Sequence, residues 1–349
     1  MSDNILQSIY SFTKNYRDPD TNNVFDEKNE KIQVVEKNGN VNIILLVSNE
    51  KLEEYKKIAD AFKNNIDKIE GIFSVNVAMT SESQSAQSDQ SDQSESRFKI
   101  NAKNIIAVAS GKGGVGKSTF AVNIAVALGE LGKKVGILDA DIYGPSVPRM
   151  MGISGRPEAS ENKKLIPLES YGIKCMSIGF LVGVDTPTIW RGPMIMKALE
   201  QMFNGVEWGE LDYLIIDLPP GTGDAQLTLA QSSKLSGSII VSTPQDVALT
   251  DARKGINMFK RVNVPLMGLV ENMSYFICDN CNEKHFIFSN DGAKKEAEKF
   301  QIPFLGSLPI DKELRIQSDE GRPACIDNPT GDIAKNYFKI ANNIITASE

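Results

Sequence analysis

Apolar residues along this chain fall into two kinds of run. Up to about residue 80 they alternate or recur on one face. Residues 32–35 and 41–47 predict two strands around Lys37-Asn38-Gly39-Asn40, an Asn-Gly hairpin signal. Residues 52–69 set Leu52, Tyr55, Ile58, Phe62, Ile66 and Ile69 on one side of an amphipathic helix, and residues 73–78 alternate like a further strand. From Ile105 the runs are short and apolar throughout: 105–109, 135–138, 213–216, 238–241, 266–270 and 304–308, with helical stretches between them. Strands of that kind are buried on both faces. The pattern predicts an α/β fold, a mostly parallel sheet with helices on both faces, preceded by a small α+β domain.

Between the two regions, residues 81–96 are low in complexity, with Gln87-Ser88-Asp89 repeated as Gln90-Ser91-Asp92. Such a stretch buries too little apolar surface to offset the entropy of ordering it, so it reads as a flexible acidic tether. The expected division is therefore a small domain over 1–80, a linker over 81–100 and a large domain over 101–349. A last helix is expected over 332–345, with Ile333, Phe338, Ile340 and Ile344 as a packing face.

Charge and composition narrow the function. Lys plus Arg number 38 against 45 Asp plus Glu, a net charge of −7 over 349 residues, which argues against a dedicated nucleic-acid surface. No apolar run approaches the roughly 20 residues that cross a bilayer, and the first residues lack a signal-peptide core. A cytoplasmic protein without membrane or nucleic-acid partners is the expectation. Four scattered cysteines suit a reducing compartment.

The chemistry sits at the ends of the apolar runs. After 105–109 comes Gly111-Lys112-Gly113-Gly114-Val115-Gly116-Lys117-Ser118-Thr119, which fits Gly-x-x-x-x-Gly-Lys-Ser/Thr between a strand and a helix that begins near Ser118. Glycines let the backbone aim successive N–H groups inward, making an anion site at a helix N-terminus. Lys117 would reach the outer phosphates of ATP, and Ser118 would give an oxygen to Mg²⁺. Asp217 closes the run before it, where a hard cation needs a carboxylate, so it joins Ser118 as a Mg²⁺ ligand. Asp139 and Asp141 follow the run 135–138, and Asn272 follows 266–270. By residue type alone each is a catalytic or binding group, or a turn and cap residue.

Cys278-Asp279-Asn280-Cys281 lies in a polar turn soon after Asn272. A Cys-x-x-Cys serves as a redox pair, a zinc half-site or an iron-sulfur half-site. A thioredoxin-like role needs the first thiol at a helix N-terminus, which Asp279-Asn280 does not suit, leaving metal. Two thiolates are half of what zinc or a cluster takes. His285 is a candidate third ligand, Cys175 reads as a core residue, and Cys325 as a loop thiol without a partner.

Lys112, directly after the first glycine, is a further signal. With it the chain resembles the deviant-Walker P-loop family of MinD and ParA partition ATPases, the nitrogenase iron protein and the Mrp/ApbC iron-sulfur carriers. Leu218-Pro219-Pro220-Gly221-Thr222-Gly223-Asp224 and Thr188-Ile189-Trp190-Arg191-Gly192-Pro193-Met194 resemble Mrp/ApbC segments in particular. The resemblance implies a homodimer in which Lys112 reaches the partner's nucleotide. It implies that Asp141 positions the attacking water, that Asp139 lies near the Mg²⁺ shell and that Asn272 meets the adenine. It implies that Cys278 and Cys281 of two chains share one iron-sulfur cluster, of 4Fe-4S type, passed to apo iron-sulfur proteins. The first domain, with Asp18-Pro19 near its start, resembles the small iron-sulfur assembly domain fused upstream of such ATPases. The function implied is an ATP-hydrolysing iron-sulfur carrier. The competing readings are a MinD/ParA-like positioning ATPase and an ATPase whose thiols form a structural zinc clasp.

Overall fold

The structure, a computed structural model, describes residues 2–27, 29–37, 40–48, 51–69, 72, 74–81, 100–142, 144–181 and 192–348. Its contacts divide the chain into two compact units, 1–93 and 94–349. In the first, α1 (Ser2–Thr13) precedes β1 (Ile32–Lys37), β2 (Asn40–Val47), α2 (Leu52–Ile66) and β3 (Ser74–Ser81). The sheet order is β1-β2-β3, with β1 and β2 antiparallel and β3 parallel to β2, so α2 is the crossover that a parallel pair requires. Alternate residues of β2, Val41, Ile43, Leu45 and Val47, are buried with Tyr55, Phe62 and Ile66 of α2. The Asn38-Gly39 turn and Phe73 lie outside the described residues.

Two features of this unit go beyond the sequence pattern. α1 has a weak apolar pattern: Ile9 and Thr13 are fully buried, with Ile5 and Phe12 packed beside Ile9. Asp18 is a buried brace. Its carboxylate accepts from the Tyr55 hydroxyl, from Asp20 N (3.0 Å) and from Thr21 Oγ1 (2.5 Å), tying the start of the domain to α2.

The second unit runs β4 (Ala102–Ala109), α3 (Lys117–Glu130), β5 (Val135–Asp139), α4 (Val147–Met150), β6 (Leu168–Ser170), β7 (Ile173–Ser177), α5 (Gly192–Asn204), β8 (Leu211–Asp217) and α6 (Asp224–Ser232). It continues β9 (Gly237–Ser242), α7 (Asp246–Arg261), β10 (Leu266–Glu271), β11 (Phe276–Ile277), β12 (Lys284–His285) and α8 (Gly292–Phe300). It ends β13 (Phe304–Ser307), α9 (Lys312–Asp319), α10 (Ala324–Asp327) and α11 (Asp332–Ser348). Eight strands form one sheet in the order β13-β10-β9-β4-β8-β5-β7-β6, parallel except at the β6 edge, while β11 and β12 form a separate hairpin. All six strands expected from apolar runs are present. β6 and β7 escaped notice because β6 is only three residues long and Lys174 interrupts the apolar run of β7.

β4 stands between β8 and β9, where the strand order reverses, so the crevice for a ligand opens beyond its carboxyl end. α3, which follows, is buried on every side from Phe120 to Leu128 because α11 covers the face turned away from the sheet. That cover is made by Ala334, Tyr337, Ile340, Ala341 and Ile344, with the Tyr337 ring 6.2 Å from Phe120. The packing stripe is thus centred one residue away from the expected one, with Ile333 and Phe338 at its margins. Cys325 is not a loop thiol. Pro323 starts the one-turn α10, Ala324 N donates to Asn123 Oδ1 of α3 (2.9 Å), and Cys325 is fully buried. Among the described residues no helix is long and apolar enough to cross a membrane.

Candidate functional site

The phosphate loop, residues 111–119, leaves β4 and enters α3 with Gly114 and Gly116 in the left-handed region, φ 79° and 82°. Gly116 is doubly constrained, because a Cβ there would lie 2.1 Å from Asn272 Nδ2. Gly111 meets a different limit: its Cβ would fall 2.2 Å from the backbone carbon of Asp251 in α7. Ser110, Gly113, Gly114, Gly116, Lys117, Ser118, Thr119, Asp141 and Pro220 line a cleft of about 200 Å³ with Ser146 and Met150. Val115 points inward and is buried. Lys112 is half-buried and is not among the lining residues.

Lys117 is the electrostatic centre. Its Nζ lies 2.6 Å from Asp217 Oδ1, 3.3 Å from Ser118 Oγ and 3.8 Å from Asp141 Oδ2. The register of β5 and β8 sets Asp139 opposite Asp217, so two carboxylates with no solvent exposure stand side by side. Burial raises the Asp139 pKa to about 7, with the charge of Asp217 adding to the rise. Burial also raises that of Asp217, and Lys117 opposes the rise. Among the described residues Asp217 Oδ2 is buried without a hydrogen-bond partner. An orphaned carboxylate oxygen at the foot of a phosphate loop, beside the Ser118 hydroxyl, is a donor set that fits a hard divalent cation.

Asp139 is used differently. Its Oδ2 accepts from Val147 N (3.2 Å) and Ser177 Oγ (3.0 Å), and its Oδ1 from Asp141 N (3.2 Å). Those bonds pin the loop that carries Asp141 and hold Asp139 beside Asp217. The loop after β8 is tied to the same place: Gly221 N donates to Ser110 O (2.8 Å), and Gln226 Nε2 to Pro219 O (2.8 Å). Residues 182–191, including Trp190 and Arg191, lie outside the described residues.

The end of β10 joins this cleft to the thiols. Asn272, expected to meet a base, is buried, and its Nδ2 donates to Val115 O in the phosphate loop (2.8 Å). Its neighbour Glu271, fully buried, accepts from Ser274 Oγ (2.6 Å) and Ala293 N (2.7 Å). Ser274 and Ala293 are the two ends of the excursion that holds the Cys-x-x-Cys. Glu271 was not anticipated, although an acid closing an apolar strand is the same signal that marked Asp217.

The excursion is the β11–β12 hairpin, with Phe276 paired to His285 and Ile277 to Lys284. Cys278 N donates to Glu283 O (3.0 Å) and Asn282 N to Cys278 O (2.8 Å), with Asn282 at φ 56°. The backbone N–H of Asn280, then the Cys281 N–H and thiol, lower the Cys278 pKa; burial and Asp279 oppose weakly. Cys278 is half-exposed and Cys281 exposed, while burial pushes Cys325 up to about 12 and Cys175 higher still. The hairpin gathers Cys278, Cys281 and His285 and leaves Cys175 and Cys325 in the core. Phe286, Ile287 and Phe288 follow, 48%, 57% and 43% exposed.

Comparison with known proteins agrees with this geometry. The family described as ParA, NUBPL iron-transfer P-loop NTPase, matches residues 101–345. A mitochondrial iron-sulfur protein of Arabidopsis thaliana, required for NADH dehydrogenase, is 55% identical over 244 residues, 70% of this chain and 78% of its own. An iron-sulfur cluster carrier protein of Aquifex aeolicus is 52% identical over 241 residues, 68% of this chain and 66% of its own. Among solved structures, a nucleotide-binding protein of Archaeoglobus fulgidus, in complex with ADP and with cobalt found in it, superposes with a TM-score of 0.59. It shares 43% identity and covers 66% of this chain and 90% of its own. An α/β sheet with the phosphate loop at its centre and this degree of identity place the chain in the NUBPL-type iron-transfer family of P-loop NTPases.

Proposed function

We propose that the protein is an ATP-binding and ATP-hydrolysing carrier that holds a labile iron-sulfur cluster at Cys278 and Cys281 and passes it to apo iron-sulfur proteins. The observation that carries the reading is that both sites hang from the end of β10. Asn272 braces the phosphate loop while the adjacent Glu271 closes the excursion that bears the thiols. The names of the relatives, iron-sulfur carrier and iron-sulfur protein, support it.

In this reading the backbone N–H groups of residues 113–119 and Lys117 bind the ATP phosphates, and Ser118 and Asp217 hold Mg²⁺. The ion would neutralise charge developing on the phosphate oxygens. Lys117 exchanges its bond to Asp217 for the nucleotide, Asp141 orients the attacking water, and Asn272 flanks the base. Lys112, absent from the cleft of its own subunit, acts on the nucleotide of a second subunit, as an arginine finger does in trans. The same homodimer supplies four thiolates to a 4Fe-4S cluster on its two-fold axis. The small domain, which has no cysteine, is an iron-sulfur-assembly-like unit without a thiol site of its own. Four free thiols suit a reducing compartment, the cytoplasm or the mitochondrion that the plant relative's name gives.

The test is anaerobic reconstitution with ferrous iron and sulfide. The protein should acquire a visible chromophore with matching iron and acid-labile sulfide, and Cys278→Ala/Cys281→Ala should not. An undiminished chromophore in the double variant, or stoichiometric zinc without sulfide in the purified protein, would end the carrier reading; the zinc result would favour a structural clasp.

A further inference from the structure

The thiol hairpin carries one donor more than a cluster shared by two subunits requires. The ligand atoms of Cys278, Cys281 and His285 all lie within 4.8 Å of one another. A tetrahedral ion with metal–sulfur bonds of about 2.3 Å and metal–nitrogen bonds of about 2.0 Å needs its ligands roughly 3.5–3.8 Å apart. The three side chains lie at or near the surface, where their χ angles are free to adjust.

The local structure serves such an ion. The left-handed Asn282 and its bond to Cys278 O turn the chain back immediately after Cys281. Antiparallel pairing then delivers His285 opposite Phe276. Alternation along β12 sends Lys284 to the other face, where its ammonium lies 4.5 Å from the centre of the Tyr275 ring and away from the thiols. Two thiolates and a neutral imidazole exactly balance a charge of +2.

We propose that a single subunit binds one soft divalent transition-metal ion, of the zinc(II) or iron(II) class, through Cys278, Cys281 and His285. Its fourth position stays open to an exogenous ligand such as a sulfide or a thiolate. Binding releases to solvent whatever protons the two thiols held and requires no oxidant or reductant. The site goes beyond the carrier reading and does not depend on two subunits meeting.

The experiment is an anaerobic titration of the reduced, metal-free full chain with cobalt(II). Saturation at one ion per chain is expected, with thiolate-to-cobalt charge-transfer absorption and the visible bands of a tetrahedral site. His285→Ala should keep the charge-transfer bands, shift the visible ones and weaken binding by at least about tenfold. His285→Cys should restore the affinity, with stronger charge-transfer absorption. Saturation at half an ion per chain, or a His285→Ala titration that superposes on the parent's with the same visible spectrum, would overturn the proposal and leave the carrier reading standing. Charge-transfer absorption that survives Cys278→Ser/Cys281→Ser would remove both.

Discussion

The phosphate cleft and the thiol hairpin are built in opposite ways. Lys117, Asp217 and Asp139 are buried ionisable groups held in place by strand register and by one another, whereas Cys278, Cys281 and His285 sit on a two-stranded hairpin at the surface. A site that must stabilise developing charge gains from preorganised groups in a water-poor place. A site that must give up its occupant to another protein gains from ligands that the other protein can reach. The contrast is one of task, and it makes the two sites respond differently to the same kind of substitution.

The largest expected effect is on rate. Lys112→Ala should lower ATP turnover by on the order of 10³-fold, the scale of a cation delivered in trans, while nucleotide binding persists. Single-turnover hydrolysis with separate binding measurements reads this, and an unchanged rate would remove Lys112 from the reaction.

Stability sharpens the comparison next. Lys117→Ala leaves Asp217 buried without its cation and should cost the nucleotide-free protein about 3–5 kcal/mol in denaturant unfolding. Adding Asp217→Asn should return much of that loss, since the two residues share one interaction. Cys278→Ala/Cys281→Ala, at the surface, should stay within about 0.5 kcal/mol of the parent.

The link between the sites should give intermediate effects. Glu271→Ala strands the Ser274 hydroxyl and the Ala293 N–H and should cost about 2–3 kcal/mol, with faster hydrogen exchange over 274–293. Asn272→Ala removes one neutral hydrogen bond from the phosphate loop, about 0.5–1.5 kcal/mol, and should weaken ATP binding roughly two- to tenfold.

The smallest effect is a difference in thiol reactivity. N–H donors lower the Cys278 pKa, so its thiolate fraction at neutral pH exceeds that of an ordinary thiol. Its alkylation rate should therefore climb with pH earlier than that of an ordinary exposed thiol, while Cys175 and Cys325, with raised pKa values, should react only when the protein unfolds. Mass-spectrometric mapping of alkylation against pH checks the order.

Much of the cleft was legible in the sequence because its parts are local. A glycine loop, a lysine and a serine are consecutive, and each acid that matters ends an apolar run. Glu271 carried the same mark and was passed over, because its partners Ser274 and Ala293 become neighbours only once β10 and α8 are packed. The base contact that the resemblance implies for Asn272 does not disclose its bond to Val115 O in the phosphate loop. Only the close passage of the loop past β10, so tight that Gly116 has no room for a Cβ, makes it a brace. α1 and the buried state of Cys325 were invisible for a related reason: each depends on elements far away in the chain covering a short and weakly patterned segment.

By itself the sequence determined six of the sheet's eight strands, the phosphate loop with its lysines, the acids at the strand ends and the thiol pair, since each is set by residue type and spacing within a few positions. Tertiary structure alone decided that Lys117 bonds Asp217, that Asp139 pins a loop and that one strand end serves both sites. Those are contacts between residues up to 157 positions apart, as with Asn272 and Val115. Burial, strand register and chain crossing create such contacts, and a local pattern of residues does not encode them.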